Sequence, residues 1–211
     1  NNRNRTLIRY GEATNGNQST NLVQMRYDER DLLFQRVRGA GDPAQSSTQY
    51  DYDRNRNLIR RSEGLEATPH VYTYTYDGYN RRVSAIDPMG NAMSYSYDAN
   101  HNRVHMQYDG ELVDQPGGAN NIRLSETTYV YDDMDRLIRS EVAFFDTETQ
   151  TAIDDGLATT EIFYSDNSQV IRTVDDNNHQ TLTSYDTANR IDVVTEHKAN
   201  TPTDVDDAHI A

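Results

Sequence analysis

Two consecutive runs, VYTYTYDGYNRRVSAIDPMGN at 71–91 and AMSYSYDANHNRVHMQYDG at 92–110, state one pattern twice. Each has an alternating aromatic run ending in Tyr-Asp (Tyr76-Asp77, then Tyr97-Asp98), a short polar turn, an Asn-Arg or Arg-Arg pair and a valine (Val83, Val104). In a strand, side chains alternate between faces, so Tyr72, Tyr74 and Tyr76 share one face and Thr73 and Thr75 the other. Tyr and Thr both suit a pleated, half-buried surface. Asp77 stands where a type I turn favours an acid that accepts from amides two residues on. Asn80, three residues later, tolerates the left-handed conformation that closes a three-residue hairpin loop with a bulge. His101 takes that place in the second copy. The unit is a β-hairpin.

The pattern extends along the chain, and internal repetition decides the architecture. Its Tyr recurs at Tyr27, Tyr52, Tyr76, Tyr97, Tyr131, Tyr164 and Tyr185, followed by Asp28, Asp53, Asp77, Asp98, Asp132, Ser165 and Asp186. Four residues after each Tyr stand Asp31, Arg56, Asn80, His101, Asp135, Ser168 and Asn189, of which Arg56 and Ser168 suit a left-handed position poorly. Apolar residues resume at Leu33, Leu58, Val83, Val104, Leu137, Val170 and Ile191, opening the return strands.

Tyr-x-Tyr-Asp, two variable residues, a turn residue, Arg or Asn, then Leu or Val resembles the YD repeat of bacterial Rhs proteins, Tc-toxin components and teneurins. Tyr50-Asp51-Tyr52-Asp53, Tyr74-Thr75-Tyr76-Asp77, Tyr95-Ser96-Tyr97-Asp98 and Tyr129-Val130-Tyr131-Asp132 carry the resemblance most closely. Met25, Ile162 and Thr183 replace the first Tyr elsewhere, and the glycine usual in that family four residues after the anchor Tyr is absent from all seven units. The resemblance implies a bacterial parent, secreted or at the cell surface, in which such sheets spiral into a hollow shell around a toxin domain.

The expected fold is all-β: tandem antiparallel hairpins forming one long, twisted, curling sheet, an open segment of a spiral shell. The array is read as a single domain over 1–211, with about seven repeats at 22–196, a truncated repeat at 1–21 containing the return strand Leu7-Ile8-Arg9-Tyr10, and a frayed acidic tail at 198–211. The cut first repeat and the start at Asn1 suggest an excised fragment. Anchor spacings of 25, 24, 21, 34, 33 and 21 residues place insertions within 108–126, with a turn tip at Pro116-Gly117-Gly118, and within 142–160, with Phe144-Phe145 and a turn-like Asp154-Asp155-Gly156. Both read as lengthened hairpins whose tips project beyond the sheet edge. Asp87-Pro88-Met89-Gly90-Asn91 and Asp176-Asn177-Asn178-His179 read as turns between strands.

Leu, Ile, Val and Phe together fall below the ~20% at which a highly charged chain is by default disordered. Fifteen tyrosines in fixed phase argue otherwise. A Tyr ring buries apolar area while its hydroxyl keeps a partner, so a Tyr face can serve as core. The net charge of −14 opposes binding of nucleic acid or anionic membranes, which need clustered Lys and Arg. No apolar run reaches the ~20 residues of a membrane-spanning helix, no signal peptide is evident, and the absence of cysteine excludes disulfides and thiolate chemistry.

No constellation points to catalysis, a cofactor or a metal. Asp51-x-Asp53-x-Asn55-x-Asn57 imitates half of an EF-hand loop, but Arg56 stands where the glycine belongs and Ser62 where the bidentate Glu belongs. His101-x-x-x-His105 would converge on a metal only on a helix, and His70, His179, His197 and His209 have no companions at ligand spacing. Asp132, Asp133 and Asp135, or Asp154 and Asp155, lie in solvated turns rather than across a cleft. The Asp87-Pro88 dipeptide brings to mind Asp-Pro motifs linked to self-cleavage in Rhs proteins, but sits here between ordinary repeats. The reading is a non-catalytic scaffold, with these recurring Tyr-Asp positions as its structural anchors. Its partners are the rest of the parent polypeptide and an enclosed toxin domain, and its exposed edge strands are open to self-association. The alternative is an adhesion module that binds carbohydrate or protein through the Tyr face or the insertion tips.

Overall fold

A computed structural model describes residues 4–11, 16, 18–111, 121–198 and 209–210. The strands are β1 (Leu7–Arg9), β2 (Leu22–Tyr27), β3 (Leu33–Arg38), β4 (Ser46–Tyr52), β5 (Leu58–Glu63), β6 (His70–Tyr76), β7 (Arg82–Ile86), β8 (Ala92–Tyr97), β9 (Arg103–Gly110), β10 (Ile122–Tyr131), β11 (Leu137–Phe145), β12 (Ala152–Tyr164), β13 (Val170–Asp175), β14 (Gln180–Tyr185), β15 (Ile191–His197) and β16 (His209–Ile210). No α-helix occurs among the described residues. The chain forms two compact units, Asn1–Met93 and Ser94–Ala211, divided within β8. In the first, β1 to β7 pair antiparallel in chain order. In the second, β9 to β16 do the same. The fold is an open antiparallel meander of hairpins.

The hairpin turns follow from the residue four places after each Tyr. Asp31, Arg56, Asn80, His101, Asp135, Ser168 and Asn189 all adopt positive φ, between 59° and 72°. Arg56 and Ser168 do so although their side chains suit it poorly, because the turn geometry is over-determined by its hydrogen bonds. The pairing register then shifts between six of the anchor tyrosines and the residue before each, at Arg26/Tyr27, Asp51/Tyr52, Thr75/Tyr76, Val130/Tyr131, Phe163/Tyr164 and Ser184/Tyr185. Tyr27 faces Leu33 while Arg26 faces Gln35, so Phe34 is an extra residue on the return strand. Such a bulge bends its strand and disrupts the ladder locally.

Among the described residues, Val23, Val37 and Tyr95 are the buried apolar ones, joined by Ser47, Ser62 and Thr127, and no large side chain is sealed completely. Val23 lies on the Tyr27 face, whereas Val37, opposite Gln24, lies on the other. Burial is therefore shared by both faces, and in β2 to β5 it falls near the strand ends away from the Tyr-Asp turns, at Val23, Val37, Ser47 and Ser62.

The two insertions differ from expectation in detail. The first hairpin extends β9 to Gly110 and starts β10 at Ile122, and Pro116-Gly117-Gly118 lies outside the described residues. In the second, Asp154-Asp155-Gly156 is no turn between strands. It is an irregularity inside β12, where Ala143 pairs with Leu157 but Phe145 pairs with Ala152. Asp154 and Gly156 supply positive φ there, and a Cβ on Gly156 would come within 3.0 Å of Ala152 Cβ. The reversal is made instead at 146–151, where the Asp146 amide donates to Thr151 O and the Gln150 amide to Asp146 O. This tip does not project freely: Gln150 Nε2 donates to Arg123 O of β10 at 3.0 Å, and the Arg123 guanidinium covers the Phe145 ring at 4.0 Å. At the chain's end, 199–208 and 211 fall outside the described residues, and the short β16 pairs with Thr195 and Glu196.

Left-handed backbone costs a non-glycine residue roughly 1–2 kcal/mol, partly offset by the unfolded-state freedom that glycine adds. Arg56→Gly is expected to stabilise the chain by about 0.5 kcal/mol in urea unfolding. Asn80→Gly is expected to gain nothing, because the Asn80 side-chain oxygen Oδ1 accepts from the Asn55 and Asn57 side chains at 3.0 and 2.8 Å.

Candidate functional site

Each turn is organised by its Asp. At Asp77, the amide donates to Arg81 O, and the Asn80 amide donates to Asp77 O. Asp77 Oδ1 accepts from the amides of Tyr79 and Arg81 at 2.9 and 3.0 Å, and Oδ2 from Arg81 Nε at 2.7 Å. Asp132 with Met134 and Arg136, and Asp186 with Ala188 and Arg190, repeat the whole set. At Asp53 and Asp98 the side-chain donor is Asn57 and Asn102. Asp28 has Leu32 at that position and takes its side-chain bond from Arg30 instead. Ser165 keeps the backbone bonds of the turn, and its hydroxyl oxygen accepts from the Gln169 amide at 3.2 Å in place of the carboxylate's set.

The same frame recurs in two turns that carry no Tyr. Asp87 accepts from the amides of Met89 and Asn91 and from Asn91 Nδ2, with Gly90 at positive φ. Asp175 accepts from the amides of Asn177 and His179 and pairs with His179 Nδ1 at 3.1 Å, with Asn178 at positive φ. The signal is present in the sequence, as Asp followed four residues later by Asn, Arg or His, without a Tyr before the Asp. The Asp87-Pro88 step is thus a turn of the ordinary kind.

These bonds set the acidity of the carboxyls. Burial pushes Asp77 up, but the Arg81 and Tyr79 amides and the Arg81 guanidinium together outweigh it and hold the acid below its ordinary value. The Arg136 guanidinium does the same for Asp132, and the Arg190 amide and guanidinium for Asp186.

The anchor tyrosines perform a separate task, visible in where the backbone ladder between repeats stops. Counting from each Tyr as zero, the last rung joins the return-strand residue at +8 to the residue three before the next Tyr. The pairs are Gln35↔Gln49, Arg60↔Thr73, His105↔Thr128, Arg139↔Glu161 and Arg172↔Leu182. Nearer the turn the bulged strand diverges, and the next link is a side chain. Tyr52, Tyr76, Tyr131, Tyr164 and Tyr185 donate their hydroxyls to the carbonyls of Leu33, Leu58, Arg103, Leu137 and Val170, at 2.9 to 3.1 Å. Each acceptor is the +6 residue of the preceding repeat. Tyr27 donates likewise to Arg5 O at 3.1 Å, which makes the segment before β2 the return strand of a further repeat. Burial pushes the Tyr52, Tyr76 and Tyr131 phenols up, consistent with groups that donate.

A third link joins turn to turn. The residue at +5 reaches the +4 residue of the next repeat: Asn57 Nδ2 to Asn80 Oδ1 at 2.8 Å, Asn102 Nδ2 to Asp135 Oδ1 at 2.7 Å, and Arg136 to Ser168 Oγ at 3.0 Å. Arg136 also lies 4.7 Å over the Tyr164 ring. On the strands, Arg61 covers Tyr72 at 4.1 Å, and Arg103 covers Tyr129 at 5.3 Å.

The groups considered for other chemistry are occupied in these links. Asn55 and Asn57 of the EF-hand-like run bond Asn80, and Asp53 is bonded by Asn57. His101 is a turn residue at φ 72°, while His105 Nε2 sits 2.9 Å from Glu126 Oε1. Glu126 also accepts from Arg123 at 2.6 Å, and the His105 and Arg123 bonds hold its carboxyl below the ordinary value. A cleft of about 290 Å³ beside it is lined by Glu126, Glu141, Phe144, Asp155 and Leu157 among others. Its acids are engaged: Glu141 accepts from Thr128, and Asp155 from the Leu157 amide. Among the described residues no cluster of three or more His, Asp or Glu is arranged to hold a metal ion, and no helix is long and apolar enough to cross a membrane.

No family model matches the chain, and no curated protein matches it in sequence. In structure the chain is similar to part of a solved chain of the Photorhabdus luminescens Tc holotoxin pore, with a TM-score of 0.66 and 12% identity over 95% of this chain. It spans about a tenth of that chain, 10% of its length. The TcdB2-TccC3 structure aligns over 93% of this chain and 13% of its own at 10% identity, with a TM-score of 0.40 that carries no weight. The likeness is one of fold, and it agrees with the YD-repeat resemblance read from the sequence.

Removing one phenol hydroxyl leaves a carbonyl without its partner, so Tyr76→Phe and Tyr164→Phe are each expected to lose about 1 kcal/mol in urea unfolding. Tyr50→Phe, two residues before an anchor on the same face, is expected to lose clearly less. An acid series checks the Asp frame. A carboxyl held below 3.8 when folded contributes stability that is complete above that value and lost as pH falls through the lower folded one. The urea midpoint is expected to fall once pH drops below 3.8, more steeply in the native chain than in the Asp77→Asn, Asp132→Asn double variant.

Proposed function

We propose that this chain is a non-catalytic scaffold, a segment of a YD-repeat shell that in a longer bacterial polypeptide encloses a toxin domain or stands at the cell surface. The observation that carries the reading is the periodic linkage: hydroxyl to +6 carbonyl, +5 side chain to the next turn, repeated with the same atoms from hairpin to hairpin. Such a linkage extends a sheet one repeat at a time, as a wall requires, and each repeat depends on its neighbours. The fold likeness to a Tc holotoxin pore chain supports the reading. The Tyr-Asp positions, Tyr27-Asp28, Tyr52-Asp53, Tyr76-Asp77, Tyr97-Asp98, Tyr131-Asp132 and Tyr185-Asp186, with Tyr164, act on this account as structural anchors. No cofactor or metal enters, and the partner is the remainder of the polypeptide.

Use of the Tyr face to stack on sugars has less support. Its rings are covered by guanidiniums at Tyr72 and Tyr129, and Tyr95 is buried. The exposed aromatic residues, Tyr79 at 72%, Phe144 at 49%, Tyr10 at 48% and Phe34 at 38%, are scattered over a turn, the second insertion, the end of β1 and the bulge of β3 rather than forming a continuous platform.

Limited proteolysis of the full polypeptide that carries this segment tests the scaffold reading. Sequence enclosed by the wall is expected to resist cleavage in the native protein and to be cut when Tyr131→Ala and Tyr164→Ala open two adjacent links. Equal cleavage rates in the two proteins would overturn enclosure.

A further inference from the structure

β3 carries two arginines that the repeat pattern does not require. Arg36 faces Met25 and Thr48, and Arg38 faces Val23 and Ser46, so both stand on the Tyr27 face, two residues apart. Counted from the anchor Tyr they are +9 and +11. The next repeat has Arg61 and Glu63 there, paired at 3.3 Å, and the Arg61 guanidinium also covers the ring of its cross-strand neighbour Tyr72. Arg36 lacks both kinds of partner, because Thr48 stands where Tyr72 does and Arg38 where Glu63 does. In the five other repeats +11 is Asp87, Tyr108, Val142, Asp175 or Glu196, so a cation at this place is peculiar to the first. Neither guanidinium has a hydrogen bond, ion pair or ring contact among the described residues. Two like charges side by side repel unless an anion lies between them. β2, β3 and β4 are each paired on both sides, so this exposure is not that of a chain end.

The surroundings form a concavity. The two arginines line a cleft of about 400 Å³ with Tyr10, Asn21 and Val23, and Arg38 continues into an adjoining one of about 710 Å³ with Thr20, Asp42 and Ser46, sizes usual for small-ligand sites. The far wall is fixed. The Gly39 amide donates to Leu22 O and the Asp42 amide to Gly39 O, both at 2.8 Å. Asp42 Oδ1 accepts from the Ala44 amide at 2.8 Å and Oδ2 from Thr20 Oγ1 at 2.9 Å. Those two bonds hold the Asp42 carboxyl below its ordinary value and keep it on its own turn instead of on Arg38. The cleft thus offers a cation pair, one anchored carboxylate, and hydroxyl and amide side chains. A phosphate dianion would meet Asp42 as a like charge. A hydroxylated ring with a single carboxylate would give an anion to the arginines and donors to Asp42. An extended peptide has no free strand edge to join here.

We propose that the cleft over Arg36 and Arg38 is a binding site for an acidic sugar, whose carboxylate the two guanidiniums fork and whose hydroxyls meet Thr20, Asn21, Asp42 and Ser46. Recognition is by charge at the strand ends away from the Tyr-Asp turns, not by stacking on the Tyr row, and is independent of enclosure.

The test titrates the full chain with glucuronate and follows the Gly39 amide and the Arg36 and Arg38 Nε–H signals by NMR. Glucose, acetate, inorganic phosphate and triglutamate serve as comparison ligands. Saturable shifts are expected with glucuronate, weakened about tenfold by Arg38→Gln, the factor that one charge-assisted hydrogen bond supplies. Arg60→Gln, on the opposite face beside Asp51 and Thr73, is expected to leave them unchanged. The Arg36→Gln, Arg38→Gln double variant is expected to lose binding with a urea midpoint no lower than the native one, because a repulsion has been removed. The native titrations stand without the variants. Absence of saturation by glucuronate, binding of glucose, acetate, phosphate or triglutamate as tight as that of glucuronate, or undiminished binding by the folded double variant would each overturn the proposal.

Discussion

The fold depends on a phenol hydroxyl used as a rung of a β-ladder. A hairpin turn with a left-handed residue and a bulge bends its return strand, so neighbouring hairpins cannot remain in backbone contact up to the turn. The ladder ends at the Gln35 and Gln49 level and its equivalents, two residues short on the return strand. The gap between the diverging strands is the length of a tyrosine side chain. Its ring fills the apolar part of the space and its hydroxyl satisfies the carbonyl that the bulge left without a strand partner. Phe would fill the space but leave the carbonyl bare, and Leu would do neither. That is why an aromatic residue with a donor at its tip recurs where composition alone suggests disorder.

The Asp frame and the Tyr rung are coupled through one short segment. The +5 residue closes the Asp frame with its side chain and then touches the next turn, while the +6 residue offers its carbonyl to the next Tyr. Where +5 is Leu32, the Asp bond moves to Arg30, whose guanidinium also reaches Asp53 O in the next repeat at 2.7 Å. The link between turns therefore survives substitution at either position. Where Asp becomes Ser165, the frame thins, but the adjoining Tyr164 rung remains at 2.9 Å.

Much of this was legible in the sequence. The repeat phase, the seven left-handed positions and the turn at 87–91 are local, fixed by residue type and spacing, and the structure has them where the pattern puts them. What was not legible is tertiary. The return strand's carbonyls carry no side-chain signature, so nothing in the letters says that Leu58 O is the acceptor for Tyr76. The tip of the second insertion was misplaced because Asp154-Asp155-Gly156 has turn chemistry that β12 uses for an internal irregularity, while the reversal at 146–151 carries only Asp146 and Gln150 as its signals. That this tip is tied to the neighbouring strand was not legible either. Phe145 and Gln150 meet Arg123 of β10, the strand beside β11, a contact that no local pattern encodes.

A sheet linked in this way can do without a sealed core, which fits the absence, among the described residues, of fully sealed large side chains. Its stability is distributed over many half-buried links rather than concentrated in a core, and each link belongs to two repeats. The most direct measurement of the central claim is the backbone carbonyl ¹³C shift of Leu58 by NMR, compared between the native chain and Tyr76→Phe. Loss of a donor from that oxygen is expected to move the Leu58 carbonyl upfield while the Leu33 carbonyl, served by Tyr52, stays in place. A Leu58 carbonyl that does not move would contradict the account, because the phenol would then fill space without completing the ladder.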